Sequence, residues 1–413
     1  MSIENTGPGG TINTYGVRST TTPSQSLKGA SPRTSYNEFG AGGSGSVETY
    51  FRNLKASNTM KLRKSLVAGS ASTGVFIGDS TTIGRAAGPD PSVNDGEYAG
   101  SYPMKAVTSL TTKGYPLSKS GKLGMSAYTI GGLKLADPRI SSTGGNWQNA
   151  SGSAYEYSFG GRTFMNATST VTPLIFTFTE AFDTIKVIYV RGSGLGTFTV
   201  DVDGGTALAT INTNNAVNSV ASQTVSCTLG THVLNITRTT GGTNGTVHII
   251  GVICTNSSTK ACTVINAGWG GSRVIDWAPE SPVPVSAINV VPLVAADWWV
   301  INLGVNDWQV SNDSGLFRMA LQRLITACKA TGDVIIVDPV PSSASNAPLA
   351  NQNELRNEIL NAAAVNDLPL LCFRERMVDW DTAQASFFYD GAHPNAAGHA
   401  DLSRVLVNMF ERL

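Results

Sequence analysis

The chain has 413 residues, with 29 Lys plus Arg against 29 Asp plus Glu, so its formal net charge is zero. Charged residues make up only 14% and no long basic run occurs, which disfavours a nucleic-acid partner or an anionic membrane surface. Five cysteines, an odd number in a chain long enough for two or three domains, do not suggest a disulfide scaffold. Cys254 and Cys262 could pair across a loop, but buried free thiols are the expected state. No charged segment followed by an apolar stretch opens the chain, so no secretory signal peptide is expected. The 44 glycines, with abundant Ser, Thr and Asn, nevertheless suit an extracellular or virion-associated β-rich protein, and a cytoplasmic location stays open.

Residues 1–46 are rich in Gly, Ser and Thr and read as a flexible or partner-ordered leader. Residues 47–144 read as the first part of an α/β core. A helix is expected over 47–66, from Tyr50, Phe51, Leu54, Met60 and Leu62, and a strand over 74–77. Residues 145–259 carry strand-like alternation around Leu174–Phe178, Ile185–Val190, Thr197–Val202, His232–Ile236 and Thr246–Ile250. Asp203-Gly204-Gly205 and Thr240-Gly241-Gly242 punctuate them as turns, so a β-sandwich inserted into the core is expected. The core resumes over 260–413. Strands are expected at 263–265, 298–303, 333–338 and 368–373, and helices at 316–329, 353–365 and 396–412. Strands alternating with helices imply a parallel sheet. The most apolar window, Val290 to Val305, is interrupted by Pro292 and Asp297 and reads as a buried strand with its approach, not a membrane span.

Four expected strand ends carry chemistry. Gly78-Asp79-Ser80 follows Val75-Phe76-Ile77. Asn266 to Gly271 follows Val264-Ile265, and Gly304-Val305-Asn306-Asp307 follows the strand at Trp298. Asp390-Gly391-Ala392-His393 precedes the last helix. An Asp-Ser after a strand is ordinarily only a turn or helix cap. Of the four histidines, His393 alone has an aspartate three residues before it. A serine hydroxyl needs a base to take its proton. His393 can serve if its Nε2 reaches Ser80 Oγ, and Asp390 can fix the tautomer by accepting from Nδ1.

Ser, Gly, Asn and Asp/His blocks in this order resemble the SGNH hydrolase superfamily, the GDSL-type esterases and lipases. The resemblance implies a flavodoxin-like three-layer α/β core, here with the inserted β-sandwich. It implies Ser80 as nucleophile, Asp390 and His393 as its partners, and an oxyanion hole of the Ser80 N–H, the Gly271 N–H and the Asn306 amide. No leucine follows Ser80, and Gly268 and Gly270 compete with Gly271 for the oxyanion role. Neither Gly-x-Ser-x-Gly nor His-Glu-x-x-His occurs in the chain.

No cofactor and no metal are expected. The expected reaction is hydrolysis of an O-acetyl ester on a polysaccharide or other acetylated glycan. The rivals are a lipid or thioester hydrolase and a non-catalytic glycan-binding virion or adhesin module. Trp269, Trp308 and Arg273 are candidate substrate contacts, each weighed against packing or a structural ion pair. Asp79 and Asp307 are expected to order local backbone, and Asp338 to end a strand with some chance of lining the cleft. His232, His248 and His399 are not base candidates. In texture the insertion resembles the jelly-roll modules of surface-polysaccharide esterases and phage tail proteins. The leader hints at a tail component, for which a homo-oligomer, a trimer, would be expected.

Overall fold

The computed structural model describes residues 50–67, 71–88, 98–125, 137–142, 147–150, 155, 157–167, 171–239, 245–310, 313–377 and 380–413. The expected leader and the turn at Thr240, Gly241 and Gly242 lie outside them.

The apolar runs of the core become one sheet: β1 (Phe51–Arg52), β2 (Ser72–Gly78), β3 (Leu117–Ser118), β4 (Cys262–Asn266), β5 (Trp298–Asn302), β6 (Asp333–Asp338) and β7 (Leu370–Cys372). Their order across the sheet is β1-β7-β6-β5-β2-β4-β3. All neighbours are parallel except β1, which runs antiparallel on β7. Every residue of β2, β4 and β5 is buried, as expected of a sheet covered on both faces. Trp298 and Trp299 show the two faces, since adjacent strand residues point opposite ways. The Trp298 ring meets Phe410 at 5.7 Å, while Trp299 meets Phe159 at 6.1 Å and donates to Thr331 Oγ1.

The helices are α1 (Met60–Leu66), α2 (Ser80–Ile83), α3 (Tyr102–Thr112), α4 (Val274–Trp277), α5 (Ala287–Val294), α6 (Val305–Val310), α7 (Ser314–Lys329), α8 (Leu349–Val365), α9 (Phe373–Met377), α10 (Trp380–Phe387) and α11 (Ala396–Phe410). The helix expected over 47–66 is only its last part, α1. Ahead of it, Phe51 and Arg52 pair with Leu371 and Leu370, and Asn53 turns at φ 56° to bond Asp367 and the Leu368 carbonyl. Long-range pairing with the sheet edge overrides the local helical spacing here. The approach to β5 is helical: α5 runs through Pro292 as far as Val294. Among the described residues no helix is long and apolar enough to cross a membrane.

Between β3 and β4 lie two antiparallel sheets. One orders the strands Ala209–Asn212, Thr197–Val202, Val233–Thr239, Pro173–Thr177 and Ile140–Ser142. The other orders Ser219–Gly230, Phe182–Arg191, Val247–Thr255, Phe164–Asn166 and Trp147–Asn149. Phe176, Phe198 and Leu234 of the first and Phe164, Ile185 and Val252 of the second share one buried core. Gly121–Leu123 pairs with Val247–Thr255, so these sheets take in chain from well before residue 145. Asp203 and Gly204 turn at φ 56° and 71°, as their sequence suggested. A short hairpin, Tyr157–Ser158 with Gly161–Arg162, stands apart from both sheets. All five cysteines are free, including the buried Cys254 and Cys262.

Candidate active site

Ser80 lies where β2 meets α2. Asp79 caps that helix by accepting the Thr81 N–H at 2.9 Å, and Gly84 ends it at φ 102°. The strand end admits no side chain at Gly78. A Cβ there would stand 2.0 Å from Thr82 Oγ1 and 2.8 Å from the Asn302 carbonyl oxygen. Gly78→Ala is therefore expected to cost about 2 kcal/mol of stability and to lower turnover by displacing Ser80, measured by denaturant unfolding and ester hydrolysis. The α2 turn is held from neighbouring strands. Asn266 Nδ2 donates to the Thr82 carbonyl at 2.6 Å, and Asn302 Nδ2 donates to the Tyr102 hydroxyl at 3.1 Å, itself 3.2 Å from Thr82 Oγ1.

His393 arrives on the loop before α11. Asp390 accepts the backbone N–H groups of Ala392 and His393 with Oδ1, at 2.9 and 2.8 Å. It accepts His393 Nδ1–H at 2.8 Å on Oδ2. With Nδ1 protonated, Nε2 is left to accept from the Ser80 hydroxyl, 2.8 Å away. Burial alone would raise the Asp390 carboxyl. The hydrogen bond and charge of His393, with the two N–H groups, outweigh burial and hold it well below the usual carboxylate range. The loop is pinned by Trp380 Nε1 on the Asp390 carbonyl at 3.1 Å and by Ser343 N–H on the Gly391 carbonyl at 2.7 Å. Pro394 bridges to Phe388, and Asn395 caps α11.

The parallel register sets Asn302 beside Gly78 and Asn266 beside Phe76, so the ends of β4 and β5 flank that of β2. After β4, Trp269 N–H donates to the Gly78 carbonyl at 2.8 Å and Ser272 N–H to the Trp269 carbonyl at 3.1 Å. This closes a turn over Gly270 and Gly271. Gly271 has φ 74°, a conformation that suits glycine. Asn306, one residue into α6, donates one Nδ2 hydrogen to the Ser272 carbonyl at 3.0 Å. An amide has a second hydrogen, which remains for a ligand. Asp307 accepts the Val274 N–H at 3.1 Å, tying α4 to α6.

Burial pushes Asp307 up to about 7, against the pull of the Val274 N–H. Burial likewise pushes Asp79 up to about 6, against the Thr81 N–H. An unfolded aspartate titrates near about 4. Between there and 7 the folded chain binds the extra proton, so the stability linked to Asp307 is complete below about pH 4 and lost as pH rises through 7. Asp307→Asn keeps an acceptor for Val274. It is expected to stabilise the protein at about pH 8 by on the order of 1 kcal/mol and to change little at about pH 4. Thermal unfolding of both proteins at the two pH values checks this.

Of the candidate substrate contacts, Trp308 is corrected by the structure. It is fully buried, donates to Ser342 Oγ at 3.1 Å and has no face for a sugar. Its place on the inner side of α6 could not be read from its neighbour Asn306. Trp269 is half-buried, with one face stacked on Tyr157 at 5.4 Å and its edge near Trp277. Arg273 starts α4 and pairs with Asp276, its Nε 3.6 Å from Oδ2. Asp338 is fully buried against Arg356 at 2.8 Å and lines no cleft. His399 is buried under Arg85 and Tyr102, and His248 on Thr163. His232 pairs with Asp203. Sequence reading missed Asn302, Tyr102 and Ser272 as supports, because their partners stand far off in the chain. Among the described residues no cluster of His, Cys, Asp or Glu could hold a metal.

A serine, an imidazole and a carboxylate hydrogen-bonded in line at the carboxyl edge of a parallel sheet define a serine hydrolase architecture. Residues 238–400 match the model of the GDSL-like Lipase/Acylhydrolase family, and the chain carries a domain of that family. The match takes in Gly271, Asn306, Asp390 and His393; Ser80 lies before it, across the inserted sheets. A search of curated proteins returns no match. Among solved structures, one described as a peptidoglycan O-acetylesterase in action is similar at 16% identity and TM-score 0.63, covering 88% of this chain and 98% of its own. This is a likeness of fold. A lipase/acylhydrolase from Enterococcus faecalis is similar at 23% identity, 37% and 78% coverage and TM-score 0.31. A carbohydrate acetylesterase from Sinorhizobium meliloti is similar at 15%, 37% and 79% coverage and 0.29. The chain is a serine ester hydrolase.

Proposed function

We propose that this protein removes O-acetyl groups from a polysaccharide through an acetyl-enzyme on Ser80. The observation that carries the reading is the Ser80–His393–Asp390 line, with 2.8 Å at each of its two links. As Ser80 Oγ attacks the acetyl carbonyl, its proton passes to His393 Nε2. The imidazolium is stabilised by Asp390, and the oxyanion is met by the Ser80 N–H, the Gly271 N–H and the free Asn306 amide hydrogen. Collapse breaks the ester bond, and His393 returns the proton to the departing sugar oxygen. Water then attacks the acetyl carbonyl, gives a proton to His393 and releases acetate as Ser80 recovers its hydrogen.

An acetyl preference is supported by a nucleophile only 8% exposed, with its hydroxyl held against His393. The name of the structure similar over 88% of this chain, a peptidoglycan O-acetylesterase, is consistent with the same acyl group. The two inserted sheets are the proposed glycan-binding module. On this reading p-nitrophenyl acetate and an acetylated bacterial polysaccharide both release acetate. Turnover then falls at least about tenfold once the acyl chain exceeds about four carbons, the loss expected of a pocket that rejects added methylenes. Rising turnover from acetate to octanoate would instead favour a lipid or thioester hydrolase.

A further inference from the structure

The hairpin at Tyr157–Arg162 belongs to the inserted segment, yet its side chains are spent on the hydrolase core. Tyr157 pairs with Arg162 and Ser158 with Gly161, leaving Phe159 and Gly160 at the tip. Phe159 is fully buried, its ring 5.1 Å from Trp277, edge to face, and 6.1 Å from Trp299. Trp277 donates Nε1–H to Ser272 Oγ at 3.0 Å, and the Ser272 carbonyl accepts the Asn306 amide at 3.0 Å. Tyr157 stacks on Trp269 at 5.4 Å with 19° between the planes. Arg162 braces Tyr157 by donating to its hydroxyl at 3.1 Å.

Trp269 and Ser272 are the two ends of the turn that carries Gly271. Glycines at 270 and 271 leave that turn without side chains of its own to hold it. One hairpin touches the first end directly and the second through Trp277. We propose that Tyr157 and Phe159 are positioning residues for the oxyanion donors, so that the inserted segment completes the hydrolytic site and is not only a neighbour to it. This rests on the reading of Ser80 as nucleophile. A donor displaced by a fraction of an ångström loses much of its preference for the transition state, while ground-state binding hardly changes.

Tyr157 is 46% exposed, so its truncation spares the core. Wild type, Tyr157→Ala, Tyr157→Phe, Phe159→Leu and Ser80→Ala are compared on p-nitrophenyl acetate, with active sites counted by titration with an aryl phosphonate. Per titrated site, Tyr157→Ala is expected to lose about tenfold in kcat with KM within about twofold, and Tyr157→Phe to keep nearly full turnover. Phe159→Leu is expected to lose kcat in the same pattern. Unchanged kcat per site in Tyr157→Ala, or a raised KM at full kcat, overturns the proposal, as does failure of Tyr157→Phe to retain activity. Wild-type turnover that survives Ser80→Ala instead overturns the underlying reading of the site, and is told apart by that arm alone.

Discussion

Replacing Ser80 with alanine is expected to lower kcat/KM on aryl acetate by about 10⁵-fold or more, the scale seen when a nucleophile acting with its base is removed. The change deletes one oxygen, whose hydrogen bond runs to His393. The α2 turn that presents residue 80 is held by Asp79, Asn266 and Gly84, none of which uses that oxygen. The variant should therefore keep its fold, with an unfolding midpoint within a few degrees of wild type. A small residual rate would persist, because the oxyanion donors do not depend on the hydroxyl. Activity and thermal unfolding measured on one preparation separate chemistry from folding.

Asp390→Asn should cost about 10⁴-fold in kcat by a different route. The carboxylate accepts Nδ1–H, which leaves Nε2 bare to take the serine proton. An amide donor turned toward the ring favours the other tautomer, with Nε2 already protonated and unable to act as base. The backbone N–H groups of Ala392 and His393 can still be met by the amide oxygen, so the loop should hold its shape. The wild-type carboxylate is kept charged by its partners well below the usual range. Its stabilising contribution is present above about pH 4 and is lost only in stronger acid, as pH falls through the folded value. The defect of Asp390→Asn is therefore expected across the whole pH range in which wild type is active, which pH–rate profiles of the two proteins would show.

Much of this was legible in the chain. Buried strands advertise themselves as unbroken apolar runs, and β2, β5 and β6 stand within a residue or two of where Val75, Trp298 and Asp333 suggested. The Ser80, Asn306 and His393 blocks are local, because each side chain sits at a strand end or on a loop fixed by its own neighbours. The edge strand at Phe51 was not legible, since it forms only by pairing with residues 370 and 371. The burial of Trp308 was equally hidden. Whether a tryptophan beside a catalytic-type asparagine faces a cleft or Ser342 depends on the helix's rotation, which local sequence does not encode. The Tyr157 hairpin carries no motif at all, and its meaning comes from Trp269 and Trp277, more than a hundred residues later.

Hydrolysis through an acetyl-enzyme places an acetyl group on Ser80 during turnover. Rapid acid quench of the enzyme with excess p-nitrophenyl acetate, followed by peptide mass spectrometry, tests it directly. One added acetyl is expected on the peptide containing Ser80, absent in Ser80→Ala and lost on further incubation. Steady turnover with no acetylated Ser80 at any quench time, or acetylation confined to another residue that Ser80→Ala leaves untouched, would contradict it.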